Sequence, residues 1–454
     1  MSLQSLIDNP KELLEIINEC LKPKEIEKKE FGEVFTPIKL INEMLDKLPL
    51  EVWTNINLKW FDPAVGMGNF IIIIYLRLME TLKDIIKDDK ERKKHILENM
   101  LYMSELNKKN VFILRQILDI KNEYKLNIFN GDTLKLDIKE YFNIDKFDII
   151  IGNPPYNKGG IKSHTGNLLG DKNETIWTKF IEYSFKYLNI NGFLVFINPL
   201  SWLKKSHSLH ELILGKYIIW LQLWDNTQSK NNIDADIPIS LYILKNKINN
   251  NNEKTEIISI LKRRNLNILS NEYLNKKYSI PLAYNSIFYK LILFIETNKL
   301  KLEYSTKIVK SNDDKFKLPL EYELNDMLVI DTYTIKEGII VNKINELHPD
   351  ANKRKIIIAN KSCFTGAFID EGKLGLTGTH KFYILGDKLE LILKLLKFKI
   401  MDIICHYTKY GQDFLDNEAF TYIPDIRKLN IDNIEEITFY KLLKLSNEEL
   451  KILN

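Results

Sequence analysis

Residues 146–156 read Lys-Phe-Asp-Ile-Ile-Ile-Gly-Asn-Pro-Pro-Tyr, and they limit the fold more than any other stretch of the chain. A short apolar run of this kind suits a parallel strand buried on both faces. It stops at Gly152 and two prolines, neither of which can donate to a sheet ladder. Asn153 and Pro154 each precede a proline, which biases both toward extended backbone. The result is a stiff strand end holding a carboxamide, at least one free carbonyl and the Tyr156 ring close together. That set suits a planar amine, with two acceptors for its hydrogens and a face to stack its ring. Asn-Pro alone would be read as a turn. Pro-Pro-Tyr behind a buried strand favours the binding reading.

Three earlier strand ends have the same character. Residues 58–61 lead into Asp62-Pro63-Ala64-Val65-Gly66-Met67-Gly68-Asn69-Phe70, and a helix is expected from about Asn69 through the apolar block 71–79. Strand, glycine turn and helix let backbone approach a ligand and aim a helix N-terminus at an anionic group. The third glycine of the dinucleotide fingerprint is missing. A second strand, 99–103, ends at Ser104-Glu105, where Rossmann-type folds grip a ribose diol with a carboxylate. The charged residues 80–98 between them predict a solvated helix, which explains the long gap from Gly68 to Glu105. A third strand, 126–129, ends in Asn130-Gly131-Asp132. Strands alternating with helices argue for a doubly wound parallel sheet with ligands at the carboxyl ends of the strands. Asp62, Glu105, Asp132 and Asn153 would then line one crevice.

The flanking segments are less specific. Residues 1–30 predict a helical segment, and Thr36-Pro37 predicts an N-cap with proline at the first position of a helix over 38–48. After Tyr156 a polar loop, 157–173, precedes a helix over 174–187 and strands at 193–197, 218–224 and 237–244. His207 and His210 lack nearby ligand partners in sequence and read as surface residues. The asparagine-rich residues 246–253 predict a domain boundary. Beyond them the alternation fades into a mixed α+β half with loop-rich segments. Lys262-Arg263-Arg264 and Lys353-Arg354-Lys355 are candidate phosphate contacts there. The expected division is 1–30, 31–248 and 255–454.

Composition excludes more than it selects. The chain has 454 residues, 45% hydrophobic and 28% charged, as an ordinary globular protein would. Its longest apolar run is too short to span a bilayer, and its first residues do not make a secretory signal. Sixty-five Lys+Arg against 61 Asp+Glu give +4, so a phosphate-binding surface must be a local patch. Three single cysteines, Cys20, Cys363 and Cys405, exclude a Cys-x-x-Cys clip and point to a reducing, cytoplasmic setting without disulfides, in a bacterial cell or a virus-infected host cell. No membrane association and no catalytic metal are expected.

With these tips in place, residues 30–245 resemble the gamma group of DNA adenine-N6 methyltransferases. The resemblance implies a Rossmann-like class I methyltransferase domain followed by a mixed α+β target-recognition domain. Phe35-Thr36-Pro37 is similar to the family element that touches the methionine part of S-adenosylmethionine. Asp62, Ala64, Gly66, Gly68, Asn69 and Phe70 fall in what looks like the cofactor loop, although Val65 and Met67 stand where relatives commonly have Cys and Ser. The resemblance also implies that Glu105 holds the ribose hydroxyls and that Asp132 faces the cofactor's adenine. Asn153-Pro154-Pro155-Tyr156 is similar to the catalytic tetrapeptide, with Trp224 the candidate for a second ring stacking a flipped base. Hydrogen bonds from an adenine amine to Asn153 and the Pro154 carbonyl would free its lone pair for methyl transfer.

The implied substrate is duplex DNA, and the implied protein a monomer, acting with a cognate restriction endonuclease or as an orphan or viral methylase. Two readings use the same pocket: methylation of RNA adenine and methylation of a protein glutamine. The long C-terminal half favours sequence readout of DNA over both. Pro349-Asp350 with Glu371-Gly372-Lys373 formally fits a nuclease pattern and opens a third reading, a bifunctional restriction-modification enzyme.

Overall fold

A computed structural model describes residues 36–157, 175–250, 252–309, 315–317, 328–334, 338–343, 347–359, 363–377, 382–410 and 414–453. Phe35, the expected helical segment 1–30 and most of the loop 157–173 lie outside these residues. The chain divides into two compact units, one of residues 1–202 and 206–276, the other of 203–205 and 277–454.

The first unit is built on a nine-stranded sheet in the order β3-β2-β1-β4-β5-β7-β6-β8-β9. Its strands are β1 Trp60–Asp62, β2 Leu101–Glu105, β3 Asn127–Asn130, β4 Phe147–Gly152, β5 Leu188–Pro199, β6 Lys216–Trp224, β7 Ile239–Ile248, β8 Thr255–Leu261 and β9 Leu266–Glu272. β1 to β5 are parallel, and the order 3-2-1-4-5 is that of a doubly wound nucleotide-binding sheet. β7 runs antiparallel to both β5 and β6, so β6 points the same way as β1 to β5. β8 is parallel to β6 and β9 antiparallel to β8. The carboxyl ends of β1 to β6 and of β8 therefore share one edge.

Burial explains the central strands. Phe147, Ile149, Ile150 and Ile151 in β4 and Trp60 and Phe61 in β1 are all inaccessible to solvent. Helices α1 Ile38–Leu45, α2 Asn69–Thr81, α3 Lys108–Asp119 and α4 Trp177–Tyr187 belong to this unit. The solvated helix expected over 80–98 is shorter, Asp89–His95, and runs into a π turn, Ile96–Met100, whose Ile96, Leu97 and Met100 are buried. Among the described residues, no helix is long and apolar enough to cross a membrane.

The boundary expected at 248 falls inside this sheet. Asn249 donates its side-chain amide to the carbonyls of Leu214 and Leu274, both at 3.1 Å, and its backbone N–H to Gly215 O at 2.9 Å. Asn246 is buried, with its amide on Asn189 O at 3.0 Å. Asn246 and Asn249 thus pin the backbone between two strands of one sheet, because a carboxamide satisfies buried carbonyls that water would otherwise have to serve. His210 also departs from expectation: it is buried, with Nδ1 3.0 Å from Trp202 O and Nε2 3.1 Å from Lys276 O.

The second unit holds two smaller sheets, β10-β12-β11-β15 and β14-β13-β16. Their strands are β10 Lys315–Lys317, β11 Leu328–Thr334, β12 Gly338–Lys343, β13 Arg354–Ile358, β14 Phe368–Glu371, β15 Gly375–Leu376 and β16 Phe382–Leu385. Helices α5 Ser286–Thr297, α6 Leu389–Leu396 and α7 Lys399–Tyr407 accompany them. Val341, Ile357, Leu374, Leu376 and Tyr383 form a core cluster.

Two sequence expectations change in this unit. Cys363 and Cys405 are joined by a disulfide with an S–S distance of 2.04 Å, so the expectation of no disulfide does not hold. The two cysteines are 42 residues apart, and only the packing of the turn Cys363–Gly366 against α7 brings them together. Lys353-Arg354-Lys355 is not an open phosphate patch. Lys355 is fully buried, its ammonium donating to Asp370 at 2.6 Å and to the carbonyls of Ala351 and Lys353. Lys353 pairs with Asp350 at 2.7 Å, and Arg354 pairs with Glu371 at 2.8 Å and with Glu390. Asp350, which also accepts from Tyr383 Oη at 2.6 Å, and Glu371 are thus each turned to a cation of the chain.

Candidate active site

The edge formed by the ends of β1, β2 and β4 gathers most of the residues singled out in the sequence. Asp62, at the end of β1, is 1% exposed, and its Oδ1 accepts from Ala64 N at 3.0 Å. Burial pushes its carboxyl up to about 8, against the pull of the Ala64 N–H and with the charge of Glu105 adding to the rise. Gly152 lies close above it: a Cβ there would meet Asp62 Oδ1 at 2.7 Å. The glycine that ends the apolar run therefore lets two neighbouring strand tips approach.

The turn between β1 and α2 uses two left-handed residues, Gly66 at φ +56° and Gly68 at φ +99°, a conformation that L side chains enter only with strain. Gly68 caps α2 and packs down, where a Cβ would clash with Leu114 Cδ1. Gly66 faces open space, with nothing within 4 Å of a Cβ. Its N–H donates to Glu105 Oε2 at 2.8 Å, and Asn107 N donates to Glu105 Oε1 at 2.7 Å. Glu105 thus ties the turn to the end of β2. Beneath it, buried Thr133 donates to Pro63 O at 2.6 Å and shares a hydrogen bond with Ser104 Oγ at 2.6 Å. Asp132 caps the short helix Thr133–Lys135 by accepting from Leu134 N at 3.1 Å, and it stays partly exposed.

The third component joins the two halves of the crevice. Asn153 Nδ2 donates to Thr36 Oγ1 at 3.2 Å, and Tyr156 Oη donates to Asn153 Oδ1 at 3.0 Å. Asn69 Nδ2 donates to Thr36 O at 3.1 Å, while Asn69 Oδ1 is buried without a hydrogen-bond partner. The Thr36 side chain is therefore not the cap of α1. Pro37 occupies that position with no side-chain bond, and the Thr36 hydroxyl addresses the Asn153 carboxamide 117 residues away. This link, and the Ser104–Thr133–Pro63 chain, escape sequence reading because nothing local marks a hydroxyl whose partner is so remote. Tyr156 is buried, which raises its phenol well above the usual range, so it donates as the neutral form. Phe70 is buried in α2.

Trp224 does not join this group. It ends β6, separated from β4 by β5 and β7, so it lies about 14 Å away across the sheet. The registers Gly152–Phe196 and Pro199–Ile239–Trp224 set it three residues further along the edge as well. A ring sandwiched between two others needs them only about 7 Å apart, and Trp224 is itself buried. Among the described residues Tyr156 makes no ring–ring contact.

The donor set suits S-adenosylmethionine. The space over Gly66, the partnerless Asn69 oxygen and the carboxylates of Glu105 and Asp132 supply room for backbone approach and acceptors for hydroxyl and amine groups.

The family model described as Eco57I restriction-modification methylase matches residues 68–231, which contain Glu105, Asp132 and Asn153 to Tyr156. An uncharacterized adenine-specific methylase of Mycoplasma pneumoniae is 27% identical over 257 aligned residues, covering 40% of this chain and 61% of that protein. The chain thus spans less than two thirds of that relative. A Type IIL restriction-modification enzyme, MmeI, solved in complex with DNA, superposes with a TM-score of 0.52 at 12% identity, over 94% of this chain and 75% of its own. The fold is Rossmann-like, as the sheet order and the likeness to MmeI show, and the matching family model and relative are methylases of the kind that the motifs resemble.

Proposed function

We propose that this chain is a DNA adenine-N6 methyltransferase of the restriction-modification type, using S-adenosylmethionine. The observation that carries the reading is the Thr36–Asn153–Tyr156 hydrogen-bond chain at the end of β4, beside the glycine turn that follows β1. When bound, S-adenosylmethionine supplies an electrophilic methyl group on a sulfonium. Glu105, Asp132, Asn69 and the Gly66 backbone are the groups that would hold it.

The protein's task is to make an adenine amine nucleophilic. The lone pair of that amine is delocalised into the ring, and two acceptors for its hydrogens favour a pyramidal nitrogen. Asn153 Oδ1 and the Pro154 carbonyl are the acceptors. Thr36 holds the Asn153 amide nitrogen, which fixes the flip of the carboxamide and keeps its oxygen on the substrate side. Tyr156 occupies that oxygen through its hydroxyl in this structure and would share it with a substrate amine. The proton lost from nitrogen leaves after methylation, so no strong base is needed. A duplex adenine has to be flipped out at a cost of a few kcal/mol, about what stacking on one or two rings returns. Tyr156 is one ring, and the second is unassigned.

Asn153→Ala tests the reading. The variant should bind cofactor with a dissociation constant within about threefold of the parent, while label transfer from tritiated cofactor falls about a thousandfold. Near-normal turnover would overturn the mechanism. Offering duplex DNA, RNA and protein in parallel and digesting the labelled product identifies the acceptor. Methyl on N6 of adenine in DNA supports the proposal, and label on RNA or on glutamine replaces it.

A further inference from the structure

The disulfide of the second unit has two companions that a disulfide does not need. Asp402, Cys405 and His406 are spaced i, i+3, i+4 on α7, so they share one helix face. Cys363 comes from the turn Cys363–Gly366. Donor atoms of Cys363, Asp402 and His406 lie within 4.8 Å of one another, and among the described residues this is the one group of three such donors. Cys405 Sγ is bonded to Cys363 and lies on the same face of α7, outside this group of three until the disulfide opens. His406 Nε2 and Asp402 Oδ1 are 3.5 Å apart. Zinc bonds of about 2.0–2.3 Å place tetrahedral ligand atoms roughly 3.3–3.8 Å apart. The His–Asp separation already matches that edge.

We propose that these four side chains form a structural zinc site in the reduced chain, and that the disulfide and the metal are alternative occupants of the same two sulfurs. The step between them balances simply. A dithiol reductant transfers two electrons and two protons to the Cys363–Cys405 bond and itself closes to a disulfide. Each freed thiol then loses its proton as it binds Zn²⁺, so two protons are released per ion. Reduction frees both sulfurs, and rotation of the Cys405 side chain would bring its thiolate to the other three donors. Two thiolates with an imidazole and a carboxylate make a closed, four-protein-ligand set, as structural rather than catalytic zinc requires. The buried sulfurs face the core, and the half-exposed Asp402 and His406 give the ion a route in. The site lies outside the proposed methylation centre and is independent of it. It would tie the turn at 363–366 to α7 in a reducing compartment, where the disulfide cannot persist.

The experiment uses the full-length chain in a Cys20→Ser background, so that no third thiol contributes. Protein reduced with a phosphine and stripped of metal is titrated with Co²⁺ and then with Zn²⁺. One Co²⁺ per chain with a thiolate-to-cobalt charge-transfer band, displaced by Zn²⁺, is expected, and the oxidised chain should bind none. His406→Ala and Asp402→Asn should each weaken zinc by about tenfold or more, and Cys363→Ser should abolish the thiolate band. Circular dichroism of the oxidised His406→Ala chain separates loss of a ligand from loss of fold. A reduced chain that takes up no cobalt overturns the proposal, as does zinc binding unchanged by both His406→Ala and Asp402→Asn.

Discussion

At the scale of single residues, Asp62 shows how far burial can move a group away from its ordinary chemistry. Its carboxyl ionises at about 8 in the folded chain and at the ordinary 3.8 once unfolded. Between those values the folded state keeps a proton that the unfolded state has lost. Stability from this group is therefore complete below about pH 4, falls as pH rises, and levels off above the folded value. The slope within the window approaches about 1.4 kcal/mol per pH unit. Asp62→Asn cannot titrate. In urea denaturation of both chains, the asparagine variant should gain about 2–4 kcal/mol relative to the parent between pH 5 and pH 8. Parallel pH profiles would show that Asp62 ionises normally. The pattern that marks Asp62 in sequence, a polar residue ending a strand before Pro63 and a glycine turn, shows its position. It does not show its protonation, which depends on Gly152 closing over it from another strand.

At the scale of elements, the two glycines of the first turn separate stability from binding. Both have positive φ, so an L side chain at either costs about 1–2 kcal/mol. Gly68→Ala also drives a methyl group against Leu114, and it should lower stability further, by about 2–4 kcal/mol in all. Gly66→Ala meets no atom of the chain and should lose only the conformational cost. Its methyl group instead enters the space assigned to the cofactor, so S-adenosylmethionine binding by calorimetry should weaken by about tenfold or more. Equal effects of both variants on binding would detach Gly66 from the cofactor site. The hairpin joining β8 to β9 carries the other element-scale expectation. Its turn, Lys262–Arg264, lies on the sheet edge that bears the strand tips, because β8 runs parallel to β6, and Lys262 and Arg263 are exposed there. Replacing both with glutamate should weaken duplex DNA binding in low salt and reduce the magnitude of the salt slope by about 2. The mark of a non-participating turn is an unchanged slope.

At the scale of the whole molecule, the central sheet was legible because β1 to β7 carry their own signals: apolar runs, polar tips and glycine or proline stops. The same reading failed at 248 because an asparagine run looks like a linker when the partners of Asn249, namely Leu214, Gly215 and Leu274, are far away in sequence. β9 alternates half-buried and exposed residues and has no apolar core to announce it. The tetrapeptide Asn153 to Tyr156 could be read locally, whereas the Thr36–Asn153 link and the Cys363–Cys405 pair could not, since each is a contact made only by the fold. This difference can be measured by truncation. A chain ending at residue 248 loses β8 and β9 and bares the edge of β6, whose Trp220, Leu221, Leu223 and Trp224 are buried in the full sheet. An open, long apolar edge recruits other chains. Ending at residue 276 keeps β8 paired with β6 and leaves half-polar β9 as the edge. Expressed side by side, the 276-residue fragment should stay in solution and melt cooperatively, while the 248-residue fragment aggregates. If the shorter fragment were equally soluble and equally cooperative, β8 and β9 would be an appendage, and the boundary read from the asparagines would stand.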